Sequence, residues 1–172
     1  AVEPLSATVN VTVILEDVND NRPLFNSTNY TFYFEEEQRA GSFVGKVSAV
    51  DKDFGPNGEV RYSFEMVQPD FELHAISGEI TNTHQFDRES LMRRRGTAVF
   101  SFTVIATDQG IPQPLKDQAT VHVYMKDIND NAPKFLKDFY QATISESAAN
   151  LTQVLRVSAS DVDEGNNGLI HY

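Results

Sequence analysis

The stretch DVNDNRP at residues 17–23 returns as DINDNAP at residues 127–133, an offset of 110 residues. Self-similarity at a fixed period is the mark of a repeat architecture and is sought before any other signal. The same offset carries Tyr30 to Tyr140, Glu36 to Glu146, Asp51 to Asp161 and Asp53 to Asp163. It also carries Asn57-Gly58 to Asn167-Gly168 and Tyr62 to Tyr172, with no insertion or deletion. Residues 1–23 therefore read as the C-terminal end of one unit, 24–133 as a complete unit with its linker, and 134–172 as the N-terminal part of the next. The chain reads as an internal piece of a longer tandem array.

Inside the complete unit the apolar period is two, the signature of half-buried strands. Val60, Tyr62, Phe64 and Met66 alternate with Glu59, Arg61, Ser63 and Glu65. Phe100, Phe102, Val104 and Ala106 alternate with Ser101, Thr103 and Thr107, and Ala119, Val121, Val123 and Met125 with Thr120, His122 and Lys126. Val9, Val11, Val13 and Leu15 repeat that last parity one unit earlier. Turn signals at Gly55-Pro56-Asn57-Gly58 and Gly110-Ile111-Pro112 separate the runs. About seven short strands in roughly 100 residues, without an amphipathic helix, point to an all-β, Greek-key β-sandwich. Tryptophan and cysteine are both absent, which removes the disulfide-and-tryptophan core of antibody domains.

The 25 acidic residues outnumber 14 basic ones, for a net charge of −11. Such a surface repels nucleic acid and favours cations or basic surfaces as partners. The lack of cysteine also excludes disulfide scaffolds, thiol chemistry and zinc–thiolate sites. No nucleophile, base and oxyanion site assemble, so the chain does not read as an enzyme. His74, His84, His122 and His171 are isolated and show no ligand spacing.

The acids cluster in turn-like segments, at Glu36, Asp51, Asp53, Asp87, Glu89, Asp108, Asp127 and Asp130. One such acid is ordinarily a solvated surface group. The recurrence of several at one offset, beside Asn and Pro at fixed places, argues for a shared task. Hard oxygen donors without nearby His or Cys select Ca²⁺ or Mg²⁺. Asp51-x-Asp53 followed by Asn57-Gly58 has the look of an EF-hand, but that loop requires glycine at position six and glutamate at position twelve. Counted from Asp51, those positions hold Pro56 and Tyr62, so the EF-hand is rejected.

Taken together, these motifs resemble the extracellular repeats of the cadherin family across the whole chain. They run in order through Glu36, Asp51-Lys52-Asp53, Ser77-Gly78-Glu79-Ile80, Phe86-Asp87-Arg88-Glu89, Ala106-Thr107-Asp108 and the 127–133 linker. The chain departs from the family's frequent Pro-Glu-Asn at Glu35-Glu36-Glu37 and Ser145-Glu146-Ser147, yet the central glutamate is kept. A second departure is the basic Leu91–Gly96 segment, read as an extended, protruding loop. The resemblance implies tandem seven-stranded sandwiches joined by calcium-binding linkers, with three Ca²⁺ at each junction. It places Glu36, Asp87, Glu89, Asp127, Ile128, Asn129, Asp130, Asn131, Asp161 and Asp163 at the lower junction, Ile128 and Asn131 through their carbonyls. The upper junction takes Asp17, Val18, Asn19, Asp20, Asn21, Asp51, Asp53 and Asp108. Asn57, Asn167 and Glu146 complete the implied set.

By the same resemblance the chain is an internal segment of the extracellular portion of a single-pass membrane protein, similar in kind to the large atypical Fat or Dachsous type. It implies calcium-dependent cell–cell adhesion, with a cadherin on an opposing cell as partner, homophilic or heterophilic, and no nucleic acid. Two alternatives stay open: a non-contacting spacer in a signalling or planar-polarity cadherin, and a segment of a clustered protocadherin. Four N-glycosylation sequons, at Asn10, Asn26, Asn29 and Asn150, agree with an extracellular setting.

Overall fold

The computed structural model describes residues 5–172. Eleven strands and one α-helix follow in chain order: β1 (Leu24–Phe25), β2 (Asn29–Glu35), β3 (Phe43–Lys46), β4 (Ala49–Val50), β5 (Arg61–Phe64), β6 (Phe71–Leu73), β7 (Glu79–Asn82), α1 (Arg88–Arg95), β8 (Val99–Thr107), β9 (Lys116–Lys126), β10 (Lys134–Phe135) and β11 (Ala159–Ser160). Seven of the strands make two facing sheets, one ordered β2-β9-β8-β5 and the other β3-β7-β6. All ladders are antiparallel except β2 with β9, which run parallel from Asn29↔Thr120 to Glu35↔Lys126. Two small ladders, β1 with β4 and β10 with β11, lie outside these sheets. Among the described residues no helix is long and apolar enough to cross a membrane.

Alternation explains the layers. Side chains of a strand point to opposite faces, so Phe100, Phe102, Val104 and Ala106 of β8 and Ala119, Val121, Val123 and Met125 of β9 all enter the core. The facing sheet answers with Phe71 and Ile80, and Val44 and Val47 close the layer. Phe71 lies at the centre, 2% exposed, with ring centroids of Phe86, Phe100 and Phe102 at 5.6, 5.1 and 5.3 Å. Outward positions stay polar or pair across strands, as Tyr33 does with Tyr124 at 5.6 Å.

Three expectations are corrected. The alternation through Met66 breaks early: β5 ends at Phe64, and Met66 is 72% exposed. Val9, Val11, Val13 and Leu15 lie in no strand and are exposed. Their counterparts in β9 are held by β2 and β8, whose matches at the same offset fall outside the sequence, and a strand without a ladder leaves its backbone groups to water. Finally, the Leu91–Gly96 segment is helical. Asp87 caps its N-terminus by accepting from the Ser90 amide at 2.6 Å, and Gly96 ends it at φ +71°. Arg93, Arg94 and Arg95 occupy the last turn, where the helix dipole favours cations. Arg95 is further held over the Phe100 ring, 4.5 Å from its centroid.

Candidate metal centres

The two copies of the repeated motif share most of their hydrogen bonds. Asp17 Oδ2 accepts from the amide of Phe54 at 3.0 Å and the Asn57 side chain at 3.0 Å; Asp127 Oδ2 accepts from the amide of Glu164 at 3.1 Å and the Asn167 side chain at 2.8 Å. The Asn21 amide donates to Asp53 Oδ2 at 3.0 Å, and the Asn131 amide to Asp163 Oδ2 at 3.2 Å. Both asparagine side chains also donate to the neighbouring aspartate, Asp20 or Asp130, at 2.7 Å. Asp51 and Asp161 each accept from the backbone two residues on, at 2.9 and 3.0 Å. Tyr30 and Tyr140 both donate to a serine carbonyl at 2.9 Å, Ser48 and Ser158 respectively.

The repeated Asn-Gly pair has a steric cause. A Cβ on Gly58 would lie 2.1 Å from the Asp53 carbonyl oxygen, and one on Gly168 would lie 2.3 Å from that of Asp163. Only glycine lets the turn fold back so tightly over the aspartate. Gly58→Ala is therefore expected to destabilise the chain by about 1–3 kcal/mol, as overpacking does, read as a lower melting temperature by calorimetry. An unchanged melting temperature would show that the turn yields freely and does not hold Asp53 in place.

At the upper centre Asp108 is fully buried and accepts from the amides of Gly110 at 2.9 Å and Leu115 at 3.1 Å and from the Asn19 side chain at 3.2 Å. Burial works to raise the Asp53 pKa, but hydrogen bonds from the Asn21 amide and side chain outweigh it and keep the carboxyl below its usual value. Two buried oxygens, Asp51 Oδ2 and Asn19 Oδ1, have no hydrogen-bond partner among the described residues. Orphaned buried acceptors of this kind call for a cation or water.

The lower centre is richer in acid. Glu36, 0% exposed, follows β2 and accepts from the amides of Arg88 at 2.6 Å and Ile128 at 3.0 Å. Carboxylate oxygens converge within 4.8 Å in three groups: Glu36, Glu89 and Asp127; Glu36, Glu37 and Asp130; and Glu89, Asp130 and Asp163. Burial pushes Glu36 upward and raises Glu89 to about 7, with the charges of Glu36 and Asp127 adding to the rise in Glu89. A set of carboxylates this crowded, free of nitrogen and sulfur donors, fits a hard divalent cation. Such an ion would neutralise charges that otherwise repel.

The profile of the cadherin domain matches residues 30–126. The chain belongs to the cadherin family. Mouse Protocadherin Fat 4 is 90% identical over 172 residues, which cover 100% of this chain and 4% of that protein. Mouse Cadherin EGF LAG seven-pass G-type receptor 1 is 36% identical over 97% of this chain and 5% of its own length. The chain thus spans a small fraction of these relatives. Among solved structures, extracellular cadherin domains 3–6 of Protocadherin Gamma B2 superpose with a TM-score of 0.81 at 31% identity, covering 96% of this chain and 41% of that one. Mouse Cadherin-23 EC22–24 gives 0.71 at 26% identity, over 89% and 47%.

Within this cadherin segment the acids expected from sequence divide into those brought together and those left apart. Glu36, Glu89, Asp127, Asp130 and Asp163 converge. Asp87 instead caps α1, and Glu146 is exposed in a turn, both outside the three acidic groups. The Val18 and Ile128 carbonyls accept from the amides of Asp20 and Asp130 at 2.9 and 3.0 Å. Asn129 is exposed, and Asp161 holds the turn of Asp163. Sequence reasoning missed Glu37, which joins Glu36 and Asp130 through a backbone φ of +59°. It also missed Arg88, whose guanidinium pairs with Glu89, Asp127 and Glu164. The charge run Glu35-Glu36-Glu37 and the central residue of Asp87-Arg88-Glu89 were the available signals. His84 packs against Phe86 with ring centroids 4.6 Å apart and lies 3.7 Å from Asp70, and no histidine belongs to the three carboxylate clusters found among the described residues.

Proposed function

We propose that this segment is part of a calcium-rigidified adhesive ectodomain, in which cations at the two candidate centres lock consecutive units into a rod. Residues 24–133 are the complete unit, 1–23 the tail of the preceding one and 134–172 the start of the next. The observation that carries this reading is the convergence of Glu36, Glu89, Asp127, Asp130 and Asp163, contributed by the sandwich, the linker and the stretch beyond it. Two like charges 4 Å apart repel by about 1 kcal/mol in water and about 4 kcal/mol at an effective dielectric of 20. Without a cation these carboxylates repel one another; with Ca²⁺ they draw both sides onto one centre. Glu36, Glu89, Asp127, Asp130, Asp161 and Asp163 would hold the ions, with Asn129 and the carbonyls of Ile128 and Asn131. The upper centre would use Asp17, Val18, Asn19, Asp20, Asn21, Asp51, Asp53, Asn57 and Asp108.

Extracellular calcium modules bind at about 10⁻⁴–10⁻³ M, which suits the outer face of a cell and a partner cadherin on an opposing one. The four sequon asparagines are all exposed, which supports the same setting. The family and the oxygen-only donor sets argue against catalysis. The test is thermal unfolding of the chain in chelator, in millimolar Ca²⁺ and in millimolar Mg²⁺. Melting is expected to rise with calcium, in proportion to the logarithm of its concentration above the dissociation constant, and to rise less with magnesium, whose octahedral demand and tight hydration suit this carboxylate cage poorly. Equal melting under all three conditions refutes the reading.

A further inference from the structure

We propose that Arg88 and Glu164 form an ionic bridge across the lower junction that holds without metal and has no counterpart at the upper one. Arg88 opens α1, its side chain only 10% exposed, and its terminal nitrogens meet Glu89 at 3.5 Å, Asp127 at 3.3 Å and Glu164 in a direct hydrogen bond. A buried guanidinium cannot shed its proton, so it must be paired. Glu89 and Asp127 pair with one of its terminal nitrogens from the sandwich and the linker, while its buried Nε has no partner among the described residues. Glu164 approaches from the far side, where the turn bearing Asp161 and Asp163 begins the next stretch of chain. Met92 and Arg93 line one wall of the groove between helix and turn, and Val162 and Gly165 line the other.

The repeat offset makes the comparison within one molecule. Glu164 corresponds to Phe54. The backbone contact of the position is the same in both copies, since each amide donates to the first aspartate of its linker motif. Only the side chain differs: Phe54 is uncharged, whereas Glu164 reaches Arg88. The two turns are thus built alike, and one of them carries a charge that the other lacks. When calcium is withdrawn, the acids of the lower centre lose their cation, but Arg88 remains among them as a fixed positive charge. The helix and the 162–165 turn stay tied through it. The bridge goes beyond the calcium reading and does not depend on it.

Hydrogen-exchange mass spectrometry on the full chain in excess chelator tests this directly. Glu164→Gln and Glu164→Phe are each expected to speed exchange across residues 161–168 by about two- to fivefold, the range of a partly exposed ion pair. The effect fades in 1 M salt, and peptides from residues 51–58 and from the core strand at 99–107 stay unchanged. In an Arg88→Met background Glu164→Gln adds nothing further. Unchanged exchange in the single variants overturns the proposal, as does an effect that survives in 1 M salt or in the Arg88→Met chain. Because every arm is run without calcium, failure of the bridge leaves the melting test of calcium binding intact.

Discussion

With alanine at position 130, a chain extended past residue 172 is expected to stay bent at calcium concentrations that straighten the same chain with aspartate there. Asp130 is the one linker carboxylate shared by two of the acidic groups, that of Glu36 and Glu37 and that of Glu89 and Asp163. Its removal weakens both together. Substitution of residues that merely support a metal ligand typically costs 10- to 100-fold in affinity, so loss of a shared ligand is expected to raise the calcium midpoint by about tenfold or more. Small-angle scattering along a calcium titration reads this as a delayed rise in maximum dimension. Asp130 is exposed, so its truncation leaves the core untouched. Glu36 needs a gentler change. It accepts two backbone amides, and alanine there strands both at a cost of about 1–3 kcal/mol each. Glu36→Gln keeps an acceptor and removes the charge, and is expected to shift the midpoint in the same direction. Glu65→Ala, exposed and outside every acidic group, leaves the curve in place. A wild-type midpoint in both Asp130→Ala and Glu36→Gln shows that the carboxylates do not bind the ion that stiffens the rod.

Phe71→Ala is expected to have the largest effect on folding. The side chain sits between the two sheets in ring contact with Phe86, Phe100 and Phe102, and truncating a buried phenylalanine typically costs about 3–5 kcal/mol. Domains of this size are stable by only about 5–15 kcal/mol, so the urea midpoint followed by circular dichroism should fall by a large fraction. Met66→Ala provides the contrast. Its exposure places it among surface changes, which stay within about ±0.5 kcal/mol. Equal losses from the two substitutions would contradict the core described here.

The two strands that supply most of the core were plain in sequence because one face of each meets apolar neighbours and the other meets water. From Phe100 to Ala106 and from Ala119 to Met125 every second residue is apolar and buried for this reason, with only Ile105 and Tyr124 breaking the polar outer face. The Asn-Gly pairs were visible too, and the structure adds why glycine stands there. Other features were hidden by their physics. Helix α1 carries no apolar stripe, because its last turn is three arginines held by the helix dipole and by Phe100; the cap residues Asp87 and Gly96 were its only signature. Asp87 also caps the helix through one carboxylate oxygen, a task set by the direction of the Ser90 amide that its residue type alone does not announce. Glu37 joins the lower centre through a left-handed backbone, which a residue type other than glycine does not announce. The partnership of Arg88 with Glu164 spans 76 residues and departs from the repeat, so no periodic argument reaches it.

The parallel pairing of β2 with β9 has a mechanical meaning. The chain enters the sandwich at the Asn29 end of that ladder and leaves at the Lys126 end, with both strands pointing the same way. Tension applied between the two ends of this sandwich therefore pulls the two strands past each other along their length. Seven register pairs bear the load side by side and must slip together, whereas a hairpin pulled from its open end would unzip bond by bond. Resistance to forced unfolding follows the rate of crossing that barrier. A pull along this ladder thus loads all seven pairs of the sandwich at once.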